Sequence, residues 1–341
     1  MTAPGGIDFD PRRLRDFLAD ALGPSDVFEL DRISGGQSNP TYFLTWGDRR
    51  MVLRKQPNGP ILKGAHAIDR EYRVQSALHP TGVPIARPVL YHDDPAVLGT
   101  PFYLMDRVEG RVFDDCALPG ADPGERRALW MGLADAMAAM HAVRPDEVGL
   151  GDYGRPGNYF ERQIARWSRQ WQDSPSGPIP ELDRLGAWLT DNLPPDDGAV
   201  SLAHGDFRMG NVIFDPAEPR VAAILDWELS TLGHPLADLG FCALAWHTAP
   251  DEYGGILGLD HAALGLPSEE DFVERYMARN PGTSPLLPFH KAFALFRFSV
   301  IWVGIADRVR LGTAAGADAG RHGDMARRLA VRGVEVIDGR H

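Results

Sequence analysis

Hydrophobic and polar residues alternate with a period of two in three short runs near the start of the chain, at 27–33, 41–46 and 50–55. That period belongs to strands with one buried face. Gly47-Asp48, between the second and third runs, is a tight-turn pair, so these two are expected to form a hairpin. A fourth run, Phe102-Tyr-Leu-Met-Asp106, leads through Arg107-Val108-Glu109 into Gly110. Before it, 65–78 carries Ala67, Glu71, Val74 and Leu78 at helical spacing, which puts a carboxylate on an apolar stripe. From residue 123 the period changes. Leu129, Leu133, Met137 and Met140 share one helical stripe, begun by Asp122-Pro123 as cap and first position. Further helices are predicted over 158–172, 180–193, 235–246, 268–279, 288–312 and 323–337. Two short apolar runs, 212–214 and 221–225, are joined by a turn at Asp215-Pro216 and predict a second hairpin. The pattern predicts a bilobal α+β fold: a small antiparallel sheet with one helix over 1–108, then a larger, mostly helical lobe over 109–341.

With 341 residues, 44% of them hydrophobic, the chain can build a substantial core in each lobe. A formal charge of −12 and scattered basic residues argue against nucleic acid as a partner. Cys116 and Cys242 stand far apart in unrelated contexts, so no disulfide framework is indicated and a reducing, cytoplasmic setting is expected. No basic segment leads into an apolar run at the N-terminus, as a signal peptide would require. The apolar stretch 293–306 is interrupted by Arg297 and is too short for a bilayer. A buried helix is its reading, and no membrane partner is expected.

Candidate chemistry concentrates in Leu202-Ala-His-Gly-Asp-Phe-Arg-Met-Gly-Asn211 and Ala223-Ile-Leu-Asp-Trp-Glu228. Asp206 and Asn211 stand five residues apart, as do the Asp and Asn of the protein-kinase catalytic loop. Asp226 follows the second arm of the predicted hairpin. In a phosphoryl-transfer site one carboxylate takes the proton of the attacking hydroxyl. A carboxamide and a second carboxylate hold magnesium against the nucleotide phosphates. Each group alone has a plainer explanation, because His-Gly-Asp is a common turn, Asn211 suits a turn and Asp226 a helix cap. Their joint spacing around two apolar strands favours catalysis.

In the first lobe, Ser34-Gly35-Gly36-Gln37-Ser38-Asn39 forms a small-residue loop whose backbone N–H groups can approach phosphate. The signal is weak, since Gly-Gly turns are common and the loop lacks the G-x-G-x-x-G pattern. Arg54 and Lys55 end the third strand on opposite faces, so one cation is available to nucleotide phosphates whichever face is used. Glu71 needs a cationic partner if its stripe is buried, and Arg54 or Lys55 can supply it.

His204-Gly-Asp206, Asn211, Asp226 and Pro235-Leu-Ala-Asp-Leu239 resemble the aminoglycoside phosphotransferase and choline kinase superfamily, over nearly the whole chain. Gly36-Gln-Ser-Asn-Pro40, Asp69-Arg-Glu-Tyr-Arg73, Pro156-Gly-Asn158 and Asp226-Trp-Glu-Leu-Ser-Thr-Leu-Gly-His-Pro235 resemble the branch related to a kinase-like domain fused to acyl-CoA dehydrogenases. No dehydrogenase segment follows here, so a stand-alone kinase is expected. The resemblance implies a protein-kinase-like fold in which 1–108 binds ATP (GTP not excluded) with Mg2+, and 109–341 performs catalysis and binds the acceptor. It implies Asp206 as the base, Asn211 and Asp226 as magnesium ligands, and Arg208 as the cation neutralising the transferring phosphoryl. Arg54, with Lys55 beside it, matches the phosphate anchor, and Glu71 its helix partner. The loop from Ser34 to Asn39 matches the phosphate loop, and Met105, Asp106 and Val108 the hinge that recognises adenine. Asp238 resembles the carboxylate that braces the catalytic loop. Three departures stand out: an Arg-Lys pair at the anchor, Glu228 where a glycine is usual, and the reduced Gly-rich loop.

The catalytic residues and the resemblance imply a hydroxyl on a small molecule as the acceptor. The branch resemblance implies a hydroxyacyl compound or its coenzyme A thioester, and Arg162, Arg166 and Arg169 at helical spacing could offer cations to such a polyanion. A solvated basic face is the plainer account of that stripe. An aminoglycoside would want clustered carboxylates instead, and Asp251, Glu252, Glu269, Glu270 and Asp271 lie in the region after the catalytic core. A nucleotide-binding pseudokinase scaffold is disfavoured by the presence of Asp206, Asn211 and Asp226. A serine hydrolase is disfavoured by the absence of a G-x-S-x-G elbow.

Overall fold

The computed structural model describes residues 6–33, 39–59, 66–311 and 319–340. The chain divides into two compact units, one made of 1–110 with 222–229 and the other of 111–221 with 230–341. A single division after residue 108 does not reproduce this. The segment carrying Asp226 and Glu228 groups with the first unit.

The first unit opens with α1 (Pro11–Leu22), started by Asp10, whose side chain accepts the Arg12 N–H, and by proline at the first position. There follow β1 (Phe28–Arg32), β2 (Thr41–Trp46), β3 (Arg49–Lys55), α2 (Ile68–Leu78), β4 (Pro88–His92), the short α3 (Pro95–Leu98) and β5 (Phe102–Asp106). The strands form one antiparallel sheet in the order β1-β2-β3-β5-β4. The expected hairpin turn places Trp46 opposite Arg49, with Gly47 at φ +63°, where a side chain would be strained. Leu14 and Leu18 of α1 pack with Tyr42, Leu44, Trp46, Met51 and Leu53 in the core of this unit. The alternation of β3 therefore sends Met51, Leu53 and Lys55 toward α1, and Val52 and Arg54 to the opposite face.

The second unit contains α4 (Pro123–Ala142), α5 (Tyr159–Gln172), α6 (Pro180–Asp191), β6 (Ser201–Ala203), β7 (Val212–Phe214), the first residue of β8 (Val221–Ile224), β9 (Thr231–Gly233), α7 (Pro235–Cys242), the short α8 (His261–Leu264), α9 (Glu269–Arg279), α10 (Pro288–Arg310) and α11 (Ala319–Ile337). α10 is its axis, packing against α5, α6, α7 and α11. Asp215 closes the predicted turn: its N–H donates to the Arg220 carbonyl at 2.9 Å and its carboxylate accepts from Ala217 N–H. The helix predicted over 235–246 is α-helical only to Cys242 and tightens to a 3-10 helix over Ala243–His247. Among the described residues no helix is long and apolar enough to cross a membrane.

Candidate active site

Within the first unit, the end of β3 sorts the two candidate cations. Arg54 Nε lies 2.8 Å from Glu71 Oε2, and its Nη2 lies 2.8 Å from Asp226 Oδ1 and 3.9 Å from Glu228 Oε2. Glu71 is 1% exposed. Asn39 Nδ2 donates to its Oε1 at 2.7 Å and the Tyr103 hydroxyl to its Oε2 at 3.0 Å. Burial pushes the Glu71 carboxyl up, and the Arg54 charge pulls it back. Lys55 is fully buried on the other face, where its ammonium meets Asp8 at 2.8 Å and Asn58 Oδ1 at 3.2 Å. Arg54 is thus the cation grouped with Glu71 and Asp226, while Lys55 ties β3 to the segment preceding α1.

Asp226 holds a left-handed backbone at φ +60°, uncommon for a non-glycine residue and the kind of strained conformation that clusters at functional sites. Asn39, expected near phosphate, is 3% exposed and engages Glu71 and the His66 ring. Ser34, Gly35, Gly36, Gln37 and Ser38 lie outside the described residues. At the hinge stretch, Met105 pairs with Val52 and Asp106 with Met51. The Asp106 carboxylate meets Arg87 Nε at 2.6 Å, and its N–H donates to the Arg87 carbonyl. Val108 follows, half-buried, just beyond the strand end.

In the second unit, β6 pairs with β9 and delivers the chain into His204-Gly205-Asp206. Asp238, on α7 and 1% exposed, accepts the N–H groups of His204 at 2.6 Å and Gly205 at 2.9 Å, and His141 Nε2 lies 3.2 Å away. Burial alone would raise the Asp238 carboxyl, but His141 and these backbone donors hold it below the usual range. Arg297 Nη2 donates to the Gly205 carbonyl at 2.5 Å, so both backbone polar groups of Gly205 are fixed. Asn211 Nδ2 donates to Asp206 Oδ2 at 2.7 Å and to its carbonyl at 2.8 Å. That orientation commits the amide nitrogen to Asp206 and leaves the amide oxygen as the atom a hard cation would take.

Arg208 Nε makes no hydrogen bond among the described residues and lies 3.7 Å from Asp206 Oδ1, with the guanidinium 5.1 Å from the Tyr253 ring centre. Gly210 permits this fold-back, because a side chain there would run into the Arg208 guanidinium. Burial raises the Asp206 carboxyl, opposed by Arg208 and His204.

Beside Arg208 lies a narrow slot of about 40 Å³, walled by Met209, Phe241, Leu244, Ala245, Tyr253 and Phe298, with Asp114 on its border. Its walls are largely apolar, of the kind that receives the end of an alkyl chain. Four of the five downstream carboxylates are taken up in ion pairs. Asp251 pairs with Arg328, Glu252 with Arg328 and Arg332, Glu269 with His247 and Lys291, and Asp271 with Arg127. Arg162 of the basic stripe donates to the Arg155 and Pro156 carbonyls, so it clamps a loop, and Arg166 stacks over Trp167. His141, Tyr103 and Arg297 were not identified as site residues from sequence. Only Arg297 left a signal there, a lone cation inside an apolar helix.

Residues 29–277 match the model of the phosphotransferase enzyme family. Curated relatives include acyl-CoA dehydrogenase family member 11 of Gallus gallus, 40% identical over 96% of this chain and 43% of that protein. Family member 10 of Mus musculus is 37% identical over 91% of this chain and 29% of that protein. The chain spans less than half the length of these relatives. A crystallised protein of Ralstonia eutropha, provisionally named an aminoglycoside phosphotransferase, is 43% identical, with a TM-score of 0.87 over 97% of this chain and 99% of that one. An aminoglycoside phosphotransferase crystallised with AMP-PNP and hygromycin B shares the fold at 16% identity and a TM-score of 0.60, over 95% and 97% of the two chains.

Proposed function

The chain belongs to the phosphotransferase enzyme family, and from that premise we propose that it moves the γ-phosphoryl group of ATP, with magnesium, to an aliphatic hydroxyl of a hydroxyacyl compound, free or as its coenzyme A thioester. Asp206 receives the hydroxyl proton as the oxygen bonds to phosphorus and the bond to the ADP oxygen breaks. Its burial favours this role, since a raised carboxyl is a better proton acceptor near neutral pH. Asn211 holds the Asp206 carboxylate in place through its amide hydrogen. Arg208 supplies positive charge next to that carboxylate, where the transferring phosphoryl gathers negative charge. Arg54, steered by Glu71, anchors nucleotide phosphate, and the stretch Met105 to Val108 receives adenine.

Magnesium, when bound, neutralises the phosphate oxygens and aligns the transferred group. The Asn211 amide oxygen and the Asp226 carboxylate are hard oxygen donors of the kind it prefers. An ion that arrives on nucleotide phosphates needs only one or two protein oxygens. This fits the lack, among the described residues, of any group of three or more His, Cys, Asp or Glu side chains suited to a metal.

The observation that carries the acceptor is the apolar slot beside Arg208, together with the engagement of Asp251, Glu252, Glu269 and Asp271 in ion pairs. An alkyl end is favoured there, while a polycationic sugar finds no cluster of unengaged carboxylates among these four. Ala245→Leu, which narrows the slot, tests this. The Michaelis constant for a hydroxyacyl acceptor is expected to rise about tenfold, on the order of 1.4 kcal/mol, with that for ATP unchanged. Unchanged acceptor kinetics would remove the slot from the acceptor site.

A further inference from the structure

Two motifs that phosphoryl transfer does not use, Pro156-Gly-Asn158 and the Gly233-His234 end of the 226–235 segment, converge on one cavity of about 550 Å³ in the second unit. That volume is within the range of small-molecule sites. The cavity is not the acceptor slot. His290 on its wall and Phe298 on the slot are eight residues apart on α10, about 12 Å at 1.5 Å per residue.

Its floor is aromatic and neutral. Phe160, His234 and His290 are buried there, with His234 and His290 stacked at 6.2 Å. His234 Nδ1 accepts the Leu236 N–H and its Nε2 meets Asp197 Oδ1 at 3.1 Å. His290 is 3% exposed; its Nδ1 accepts the Leu287 N–H, so in the neutral ring its Nε2 carries the hydrogen. Burial holds both rings below the ordinary histidine value, His290 at about 4, which keeps them uncharged. The rim is apolar and acidic. Leu193, Val200 and Leu287 are each about two-fifths exposed here, and Glu161, Asp196 and Asp197 outnumber the one cation, Arg155. Asp197 is firmly ionised: burial works against the charge, but Ser284, the Ala199 N–H and His234 hold it at about 2.

We propose that this cavity is a second binding site, for a compact apolar ammonium compound bearing a hydrogen-bond acceptor beside its charge. The apolar body lies between the rim and the aromatic floor, the ammonium faces Asp196 and Asp197, and the acceptor meets His290 Nε2–H. Anionic ligands such as nucleotides and acyl thioesters are repelled by the rim. The site touches the catalytic loop through structure already described. Gly233 pairs with Ser201 on the strand leading to His204, and His234 caps the helix that carries Asp238.

Three probes of similar size test it by calorimetry on the full chain without nucleotide: phenylalaninol, phenethylamine and 3-phenylpropanoate. Phenylalaninol is expected to bind most tightly, and at least about tenfold more tightly than the carboxylate. Val200→Trp, at a rim position 40% exposed, should remove binding with the melting temperature unchanged. Asp197→Asn should narrow the preference for cation over anion, and Asp206→Asn should leave binding as it was. Failure of phenylalaninol to bind, tighter binding of the carboxylate, or full binding in the Val200→Trp variant would overturn the proposal.

Discussion

In the proposed reaction Asp206 is the residue on which the chemistry turns, and its surroundings set its pH behaviour. Its folded-state carboxyl is raised by burial and held back by Arg208 and His204. Catalysis needs the ionised form, so kcat/KM is expected to fall as pH drops through this raised value. Arg208→Ala removes a charge that lowers it and should move the acid limb to higher pH. A limb that stays in place would separate Arg208 from Asp206 electrostatically. Asp206→Asn keeps the shape and loses the base, so turnover should fall by about 10²–10⁴ with ATP affinity retained. Residual turnover near the original rate would reassign the base. At the anchor, Arg54→Ala should raise the ATP Michaelis constant on the order of tenfold, or ~1.4 kcal/mol. Lys55→Ala should leave it alone and cost about 2 kcal/mol of stability, since it strands Asp8 in a partly buried pair. Chemical denaturation of the two variants beside their kinetics distinguishes these roles, and the reverse ranking would reverse them.

Elements of strong period were legible in the sequence, and elements held by tertiary context were not. β2, β3 and the stripe of α4 stood out because their periods repeat over several residues. β6 and β9, three residues each, are too short to show a period, yet their pairing delivers the His204-Gly205-Asp206 loop. α1 has the Asp10-Pro11 cap signal, but its buried face is a single pair, Leu14 and Leu18, too short a stripe to stand out as a period. The second helix of the first unit, with Glu71 on an inward face, was readable, and so was its need for a cation. Which cation was not readable, since alternation separates Arg54 from Lys55 without saying which face holds Glu71; the packing of α1 under Leu53 decides it. Likewise Gly210 carries no signal of its own in the sequence, and only the path of Arg208 shows its use. Gly210→Ala is expected to displace the Arg208 guanidinium and cut kcat by on the order of tenfold or more, with little change in stability, because the clash falls on the far end of a flexible side chain. A crystal structure of that variant with Arg208 undisturbed would refute this use.

For the whole molecule, family membership fixes the reaction class and leaves the acceptor to the shape and charge of the second unit. Fold-sharing proteins act on different acceptors, so likeness of fold cannot choose among them. The narrow apolar slot and the paired carboxylates are what support the proposed acyl hydroxyl. The most direct measurement is ³¹P NMR of reactions containing Mg-ATP and either a short hydroxyacyl compound, its coenzyme A thioester, or kanamycin. The account predicts a new phosphomonoester resonance, with ADP formed in equal amount, from the hydroxyacyl compound or its thioester and not from kanamycin. The Asp206→Asn variant should give no such signal. Phosphorylation of kanamycin with none of either hydroxyacyl acceptor would contradict it.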